Sequence, residues 1–489
     1  MAESIAIWQE DPGEPGTSGR TTRASMRQRL DSGSLALTVT PEPSADDAEV
    51  RAWEDLRYWT AVHTMERSRA MWLAAMGRPA GLAWLPGASL NVELGAGTEL
   101  NAYYDREGLQ FHVASVAEMR TGNIVRIATG ESPDIVAHEL GHAILDVIQP
   151  DLWDANFTET AAFHEAFGDI SAILTAVELN EVADELATLA SSSVFVSTRM
   201  SRIGEQMGWG LRQTRPDLPD PNCLRDAVSS YFYVRPETLP TSAPSSMLSS
   251  EPHNFARVFT AAFMRVLDEM MKVDVGPGGK RTRASVRRVA RTAATLLVAA
   301  VRQAPVVDAY YHSVALSMIA AAQGRGRARY RKAIATAFVR TGIVTVAEAA
   351  EADQRQPAAG PARRGGGRRG VAPEAAPLRP PIEPHRMNLA AFGIDREVHL
   401  NLGAAPTNAQ RRRGVVPLTA DDTGIGVTSL GAAHYFVEDL FRRNRLDLTS
   451  ADGEAVPMQS PRMVTHRFDL VGEVLQIRRV RVDCGFDVS

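Results

Sequence analysis

The chain has 489 residues, of which 44% are hydrophobic, and a formal net charge of -5. This length predicts two to four domains, and the slightly acidic balance argues against a nucleic acid as the main partner. The cysteines are Cys223 and Cys484, too few for a framework of disulfides. No apolar run reaches the roughly 18 residues that a membrane-spanning helix needs.

The first elements of the chain are predicted from composition and spacing. Residues 1–45 are rich in Ser, Thr, Pro and Gly, which is typical of a disordered segment. They lack the apolar core of a signal peptide, so we expect a cytoplasmic location or export by an unconventional route. Residues 46–76 carry large apolar side chains at helical spacing and predict a helix. Short strands are expected near 89–94, 101–105, 109–114 and 123–128, before mainly helical structure from 132 to about 345.

The first chemical motif is His138-Glu139-Leu140-Gly141-His142, an H-E-x-x-H inside a segment with helical apolar spacing. Residues four apart lie on one face of a helix, so His138 and His142 can bind the same zinc ion. Glu139 is placed to take a proton from a metal-bound water. The motif therefore predicts a zinc site with a general base beside it.

A catalytic zinc site also requires a third protein ligand. A third His six residues after the motif is excluded, because that position is Ile148. The next predicted helix offers Glu165, with Asp169 one turn further on to orient a ligand imidazole. Glu159 and His164 are competing ligand candidates on the same helix. We prefer Glu165, because it alone has this following carboxylate.

The two motifs, at residues 134–142 and 164–169, resemble the zinc motifs of the thermolysin-like gluzincin metallopeptidases. The resemblance extends over roughly residues 80–345. It implies an α+β zincin fold, with a small N-terminal mixed sheet and a helical C-terminal lobe. It also implies a zinc-dependent endopeptidase that acts on a peptide or protein substrate, with Glu139 as general base.

The resemblance implies further site residues. Asn101 and Ala102 open a segment similar to the family's edge strand, which pairs with extended substrate. Arg225 resembles the arginine that binds a substrate carbonyl. His253 resembles the catalytic histidine that stabilises the oxyanion. These residues would complete a site around His138, His142 and Glu165.

The sequence departs from the family pattern at several positions. No Tyr lies between the two zinc motifs, where this chain has Trp153 instead. The family's Asp upstream of the catalytic histidine has no clear match, although Glu251 is close by. Asp134 matches a calcium ligand, but Glu178, the nearest candidate for its partner, is offset by two residues. Calcium is therefore a weaker expectation than zinc.

The last part of the chain has a different composition. Residues 352–386 are rich in Pro, Gly and Arg and predict a linker. Residues 387–489 predict a separate, small, β-rich accessory domain with no chemical motif and no identified partner. A chain that ends near Ala350 is therefore expected to fold and bind zinc. The alternative function is a catalytically inactive zincin fold that interacts through its C-terminal domain. The intact Glu139 favours the enzyme.

Overall fold

A computed structural model describes most of the chain, and the statements below concern the residues that it describes. These are residues 4–16, 19–25, 30–189, 193–276, 278–324, 326–354, 385–390, 397–402, 429–447, 464–471 and 474–484.

Both helices and strands are present, as an α+β fold requires. The helices are α1 (Ala48–Ala75), α2 (Pro133–Ile148), α3 (Thr158–Val177), α4 (Asn180–Thr188), α5 (Glu205–Arg212), α6 (Pro252–Val275), α7 (Arg283–Gln303), α8 (Tyr310–Ala321), α9 (Arg331–Arg340), α10 (Val346–Gln354) and α11 (Ser429–Arg442). The strands are β1 (Ser4–Trp8), β2 (Thr21–Ser25), β3 (Ala36–Thr40), β4 (Ser89–Leu94), β5 (Ala102–Tyr104), β6 (Gly108–Phe111), β7 (Val113–Ala117), β8 (Ile124–Ala128), β9 (Arg202–Ile203), β10 (Arg225–Asp226), β11 (His385–Asn388), β12 (Glu397–Leu400), β13 (Leu446–Asp447), β14 (His466–Val471), β15 (Val474–Arg479) and β16 (Val482–Asp483).

A five-stranded mixed sheet lies beside the motif helix. Its strand order is β16-β5-β6-β4-β3. The pairs β3-β4 and β4-β6 are parallel, whereas β5 is antiparallel to both β6 and β16. Tyr104, Leu109 and Phe111 are buried, and helix α2 packs against β5. The sheet therefore holds one of its outer strand pairs next to α2.

The prediction of disorder over residues 1–45 is wrong for the part that the structure describes. β1 pairs with β2, and β3 forms the edge of the mixed sheet. Leu37 and Val39 of β3 are buried there, which stabilises an ordered strand. Their alternation with small or polar residues is a strand pattern that the overall composition of the segment obscures.

Helix α3 is the centre of the helical part. It packs against α2 on one side and α6 on the other, with α7 and α8 also in contact. Phe163 on α3 lies edge-on to Phe259 of α6, with ring centroids 5.0 Å apart, and at the same distance from Tyr310 of α8. This aromatic packing fixes the position of α3 relative to the rest of the lobe.

The C-terminal residues form a second five-stranded sheet, in the order β11-β12-β15-β14-β13. Helix α11 lies against it, where Phe436 contacts His466. This region is not separate from the rest, contrary to our expectation. The backbone N–H of Asn156 donates to the Asn401 carbonyl at 3.0 Å, and the backbone N–H of Asn401 donates to the Asn156 side chain at 2.7 Å. β16 then joins the first sheet. Most of the predicted linker lies outside the described residues.

Candidate metal centre

Helix α2 presents both histidines of the motif. Ser132 begins the helix by accepting a hydrogen bond from the Ile135 backbone, and Pro133 occupies its first turn. The rings of His138 and His142 then lie perpendicular to one another, with centroids 4.6 Å apart. Both side chains are fully buried. The predicted projection of the two imidazoles from one helix face is therefore observed.

Two glycines allow α3 to approach α2 closely. A Cβ atom added at Gly141 would lie 2.8 Å from the Cβ of Ser171. One added at Gly168 would lie 2.6 Å from Cε1 of His138. The absence of side chains here lets the helices cross at short range, which brings Glu165 of α3 to the histidines.

Glu165 completes a group of three ligand atoms. Its Oε2 lies 3.3 Å from Nε2 of His138, and its Oε1 lies 3.9 Å from Nε2 of His142. Ligand atoms of the three residues lie within 4.8 Å of one another. The Nε2 atoms of both histidines are buried without a hydrogen-bond partner, which is unfavourable unless a ligand satisfies them. The three residues therefore fit a metal ion, and they could hold one.

The competing ligand candidates lie apart from this group. Glu159 accepts hydrogen bonds from the Tyr233 hydroxyl at 2.5 Å and from the Tyr311 backbone at 2.8 Å. The ring centroid of His164 lies 5.9 Å from that of His142, and His164 belongs to neither three-residue group found among the described residues. The geometry thus favours Glu165 over both.

The electrostatics differ between the two histidines. Burial, together with the charge of His138, lowers the pKa of His142, so that this ring is neutral and can act as a ligand. Burial alone would also lower the pKa of His138, but Cys484 and Asp169 outweigh it and raise that pKa, so His138 must release a proton to bind a metal. Burial also raises the pKa of Glu139 to about 8. Both carboxylate oxygens of Glu139 are buried, and the Cys484 thiol and His138 are their neighbours. Glu139 therefore lies next to the ligand group, where a base would be needed.

Asp169 orients His138, as predicted from its spacing. Its Oδ1 accepts a hydrogen bond from Nδ1 of His138 at 3.0 Å, which directs Nε2 towards the ligand group. Arg225 donates to the same carboxylate from Nη2 at 2.9 Å. Burial alone would raise the pKa of Asp169, but the charge of Arg225 outweighs it and lowers that pKa. Arg225 thus has a supporting role that the sequence did not indicate, and its contact with a substrate carbonyl stays a prediction.

His253 also lies at this site. Its Nε2 is 3.3 Å from Oε2 of Glu165, and its Nδ1 donates to Glu251 at 2.7 Å. Burial disfavours the charged ring, but Glu165 and Glu251 outweigh this and raise the pKa of His253 to about 9. The ring therefore donates from both nitrogens, and Nε2 donates to the Asp483 carbonyl at 2.5 Å. Glu251 takes the orienting position for which the sequence had offered no clear residue.

The predicted substrate strand is β5, and the chain itself covers it. β16 pairs antiparallel with β5, so that Val482 faces Tyr104 and Asp483 faces Tyr103. The backbone N–H of Cys484 donates to the Ala102 carbonyl at 2.9 Å. The side chain of Asn101 accepts from the Ala102 N–H at 2.9 Å and shapes the start of the strand.

Cys484 is the site residue that sequence reasoning missed. Its thiol is fully buried and forms a second ligand group with His138 and Glu139, with all three ligand atoms within 4.8 Å of one another. The available signal is weak: Cys484 is one of two cysteines and lies two residues after the end of the alternating run at Val482. Nothing local in the sequence connects that run to residues 138–165.

The calcium expectation finds no support among the described residues. Asp134 lies in an acidic group with Asp11 and Glu205, and burial and these charges raise its pKa. Glu178 instead makes hydrogen bonds of 2.7 and 2.5 Å to Arg291. Elsewhere in the described part of the chain, no three ligand residues approach as closely as those at the metal centre.

Comparison with known proteins adds nothing to the geometry of the candidate metal centre. No protein-family model matches the sequence, and no curated protein matches it. None of the helices in the described ranges has the length and apolar character needed to cross a membrane.

Proposed function

We propose that the chain is a zinc-dependent endopeptidase of the thermolysin-like gluzincin class. Two buried imidazoles and one carboxylate form a donor set that zinc commonly uses, and Glu139 lies beside them. The mixed sheet next to α2 and the helical lobe beyond it are compatible with this class of fold. Zinc would be held by His138, His142 and Glu165.

The observation that carries the choice of a peptide substrate is the segment on β5. An extended stretch of polypeptide lies antiparallel along this strand, with a backbone carbonyl against His253. Extended peptides bind strand edges in the same way, because main-chain hydrogen bonds do not depend on side-chain identity. A substrate peptide would take the same place along Ala102 and Tyr103.

The chemistry follows from the positions of the side chains. A zinc ion bound here would make a water molecule more acidic and would polarise a peptide carbonyl. Glu139 would accept the proton of the attacking water and return it to the leaving amine. His253 would donate from Nε2 to the developing oxyanion, as it does to the Asp483 carbonyl. Glu251 holds the His253 ring in the orientation that this donation requires.

The second candidate is a zincin fold without catalysis that acts as an interaction module. The pairing of β16 with β5 favours this candidate, since a protein whose β5 edge is permanently covered could not bind a substrate peptide there. The buried carboxylate of Glu139 beside the ligand group favours the enzyme, because a base in this position can take the proton of a metal-bound water.

Metal content and hydrolysis separate the two candidates. The full-length protein should bind one zinc ion, and His142→Ala should lose it. Glu139→Gln should keep the metal, because this residue is not among the three ligands. Glu139→Gln should hydrolyse casein more slowly by a factor of roughly 10²–10⁴, because an amide cannot accept the proton. Equal zinc content in wild type and His142→Ala would contradict the site. Hydrolysis that is detectable and equally fast in wild type and Glu139→Gln would contradict the role of the base.

A further inference from the structure

The segment Val482–Cys484 lies along β5, beside the metal ligands, in the manner of a bound peptide. It adds one antiparallel strand to the sheet beside β5. At its end, the backbone N–H of Cys484 donates to the Ala102 carbonyl. Its central carbonyl, that of Asp483, accepts from His253. A substrate strand cannot pair with β5 while this segment is in place, because each backbone group bonds to one partner strand on that side.

The Cys484 side chain lies beside the metal ligands. Its thiol is within 4.8 Å of Nδ1 or Nε2 of His138 and of a Glu139 carboxylate oxygen. His138 also belongs to the group with His142 and Glu165, so the thiol adjoins the ligand group through this histidine. Thiolates are strong zinc ligands, and a zinc ion with three protein ligands has a fourth position open.

The C-terminal region holds the segment from its other side. The carboxylate of Asp483 pairs with Arg445 at 3.3 Å, and both residues are buried. Arg481 lies over the Tyr103 ring, with its guanidinium carbon 5.1 Å from the ring centroid. The Arg479 carbonyl accepts from the Trp153 indole at 3.1 Å. The segment therefore follows closely on β15 of the second sheet, and these contacts anchor it beside β5.

We propose that Val482–Cys484 is an inhibitory segment of this enzyme, in which Cys484 supplies the fourth ligand of the bound zinc ion. This inference rests on the proposed function. Ligation requires the thiolate, so the thiol proton leaves, and the carboxylate of Glu139, within 4.8 Å of the thiol, can accept it. With the thiol in the fourth position, Glu139 has no water to activate. Hydrolysis then requires that the segment leave both the metal and β5.

The first test measures ligation in the full-length protein. X-ray absorption of the zinc-loaded wild type should contain a zinc–sulfur distance of about 2.3 Å. Cys484→Ala should keep its zinc and lose this distance. Cys223→Ala is the matched control, because Cys223 is also buried but lies outside both ligand groups, and it should retain the sulfur. Zinc bound by nitrogen and oxygen alone in the wild type would overturn the thiol ligation and leave the proposed function intact.

The second test measures restraint on an unstructured peptide. Cys484→Ala should hydrolyse it at least about tenfold faster than wild type, since an intramolecular competitor acts at millimolar effective concentration. Cys223→Ala should match the wild type. Equal rates in wild type and Cys484→Ala would overturn the inhibition. If neither protein hydrolyses the peptide although zinc and sulfur are both bound, the endopeptidase proposal fails and only the ligation stands.

Discussion

At the scale of single residues, the site combines side chains of two origins. His138, His142 and Glu139 follow from one local motif, and Glu165 follows from helical spacing in the next segment. Local patterns predict these residues because their geometry is set within two consecutive helices. Cys484 and the Arg225 contact with Asp169 are set by tertiary packing across long stretches of chain. No spacing rule relates them to the motif, so the sequence did not reveal these roles.

The Asp169 carboxylate links the metal site to Arg225. Asp169→Asn should weaken zinc binding by about 10–100-fold, because the amide holds His138 less firmly and donates less electron density to the ring. It should also destabilise the fold, because Arg225 is buried and loses its opposite charge. Zinc affinity measured by competition with a chelator, at a temperature where the variant is folded, checks this. Asp184→Asn, which removes an exposed pair with Arg283, is the control and should bind zinc normally.

At the scale of secondary-structure elements, the crossing of α2 and α3 sets the relative positions of the candidate metal ligands. The predicted helices around the two motifs agree with the structure, since their apolar faces are long and regular. The predicted strands at 89–94 and 123–128 also correspond closely to β4 and β8. β3 was missed because its three buried residues are embedded in a polar, Pro-rich context.

The close approach at Gly168 predicts a specific defect. Gly168→Ala should displace His138, because the added methyl would lie 2.6 Å from the imidazole. Overpacking of this kind costs about 1–3 kcal/mol. Zinc affinity should fall together with the melting temperature. Gly141→Ala is the comparison: its methyl meets Ser171, so it should lower stability with a smaller change in zinc affinity. Unchanged zinc binding in Gly168→Ala would show that the ring can shift without cost.

Helix α10 offers a prediction of pH dependence away from the metal. Glu348 accepts from the Thr345 backbone at 2.8 Å and lies 3.0 Å from Nε2 of His312 on α8. This neighbouring His312 side chain is the main reason that the pKa of Glu348 is lowered from 4.5 to about 2. A carboxyl with a lowered folded-state pKa stabilises the fold above its unfolded value, and that contribution is lost as the pH falls.

The corresponding experiment compares wild type with Glu348→Gln. The melting temperature of the variant should be lower at pH 6, and the difference should shrink as the pH falls from about 4.5 towards about 2. A difference that stays constant over this range would mean that Glu348 acts through packing or uncharged hydrogen bonds alone.

At the scale of the whole molecule, β16 connects the two sheets, because it follows β15 of the second sheet and pairs with β5 of the first. The sequence predicted an α+β region followed by a β-rich one, and the described residues contain a mixed sheet with helices and a second five-stranded sheet. It did not predict their contact. The composition of residues 352–386 indicates a break in the chain's local structure, but a linker says nothing about whether the parts that it connects pack together. Asn156, Trp153 and β5 form contacts that depend on shape, and no pattern in the sequence records them.

This contact can be weakened at one residue outside the metal site. Asn156→Ala removes the side-chain oxygen that accepts from the Asn401 backbone, a loss of about 1 kcal/mol. If the second sheet anchors the inhibitory segment, the variant should hydrolyse an unstructured peptide faster than wild type while binding the same amount of zinc. Thr188→Ala, which removes a hydrogen bond on the exposed end of α4, should leave the rate unchanged. If Asn156→Ala hydrolyses the peptide at the rate of wild type, the contact between Asn156 and Asn401 does not contribute to inhibition.

The strand order of the first sheet also has a consequence for biosynthesis. β3 at one edge comes early in the chain, whereas β16 at the other edge is translated after His138, His142, Glu165 and His253. Domains fold as they emerge from the ribosome, at about 5–20 residues per second. The interval between His253 and Val482 is then on the order of tens of seconds. During that time a nascent chain can assemble its metal site with β5 uncovered. For the proposed endopeptidase, safe production therefore depends on whether zinc binds before or after β16 covers β5.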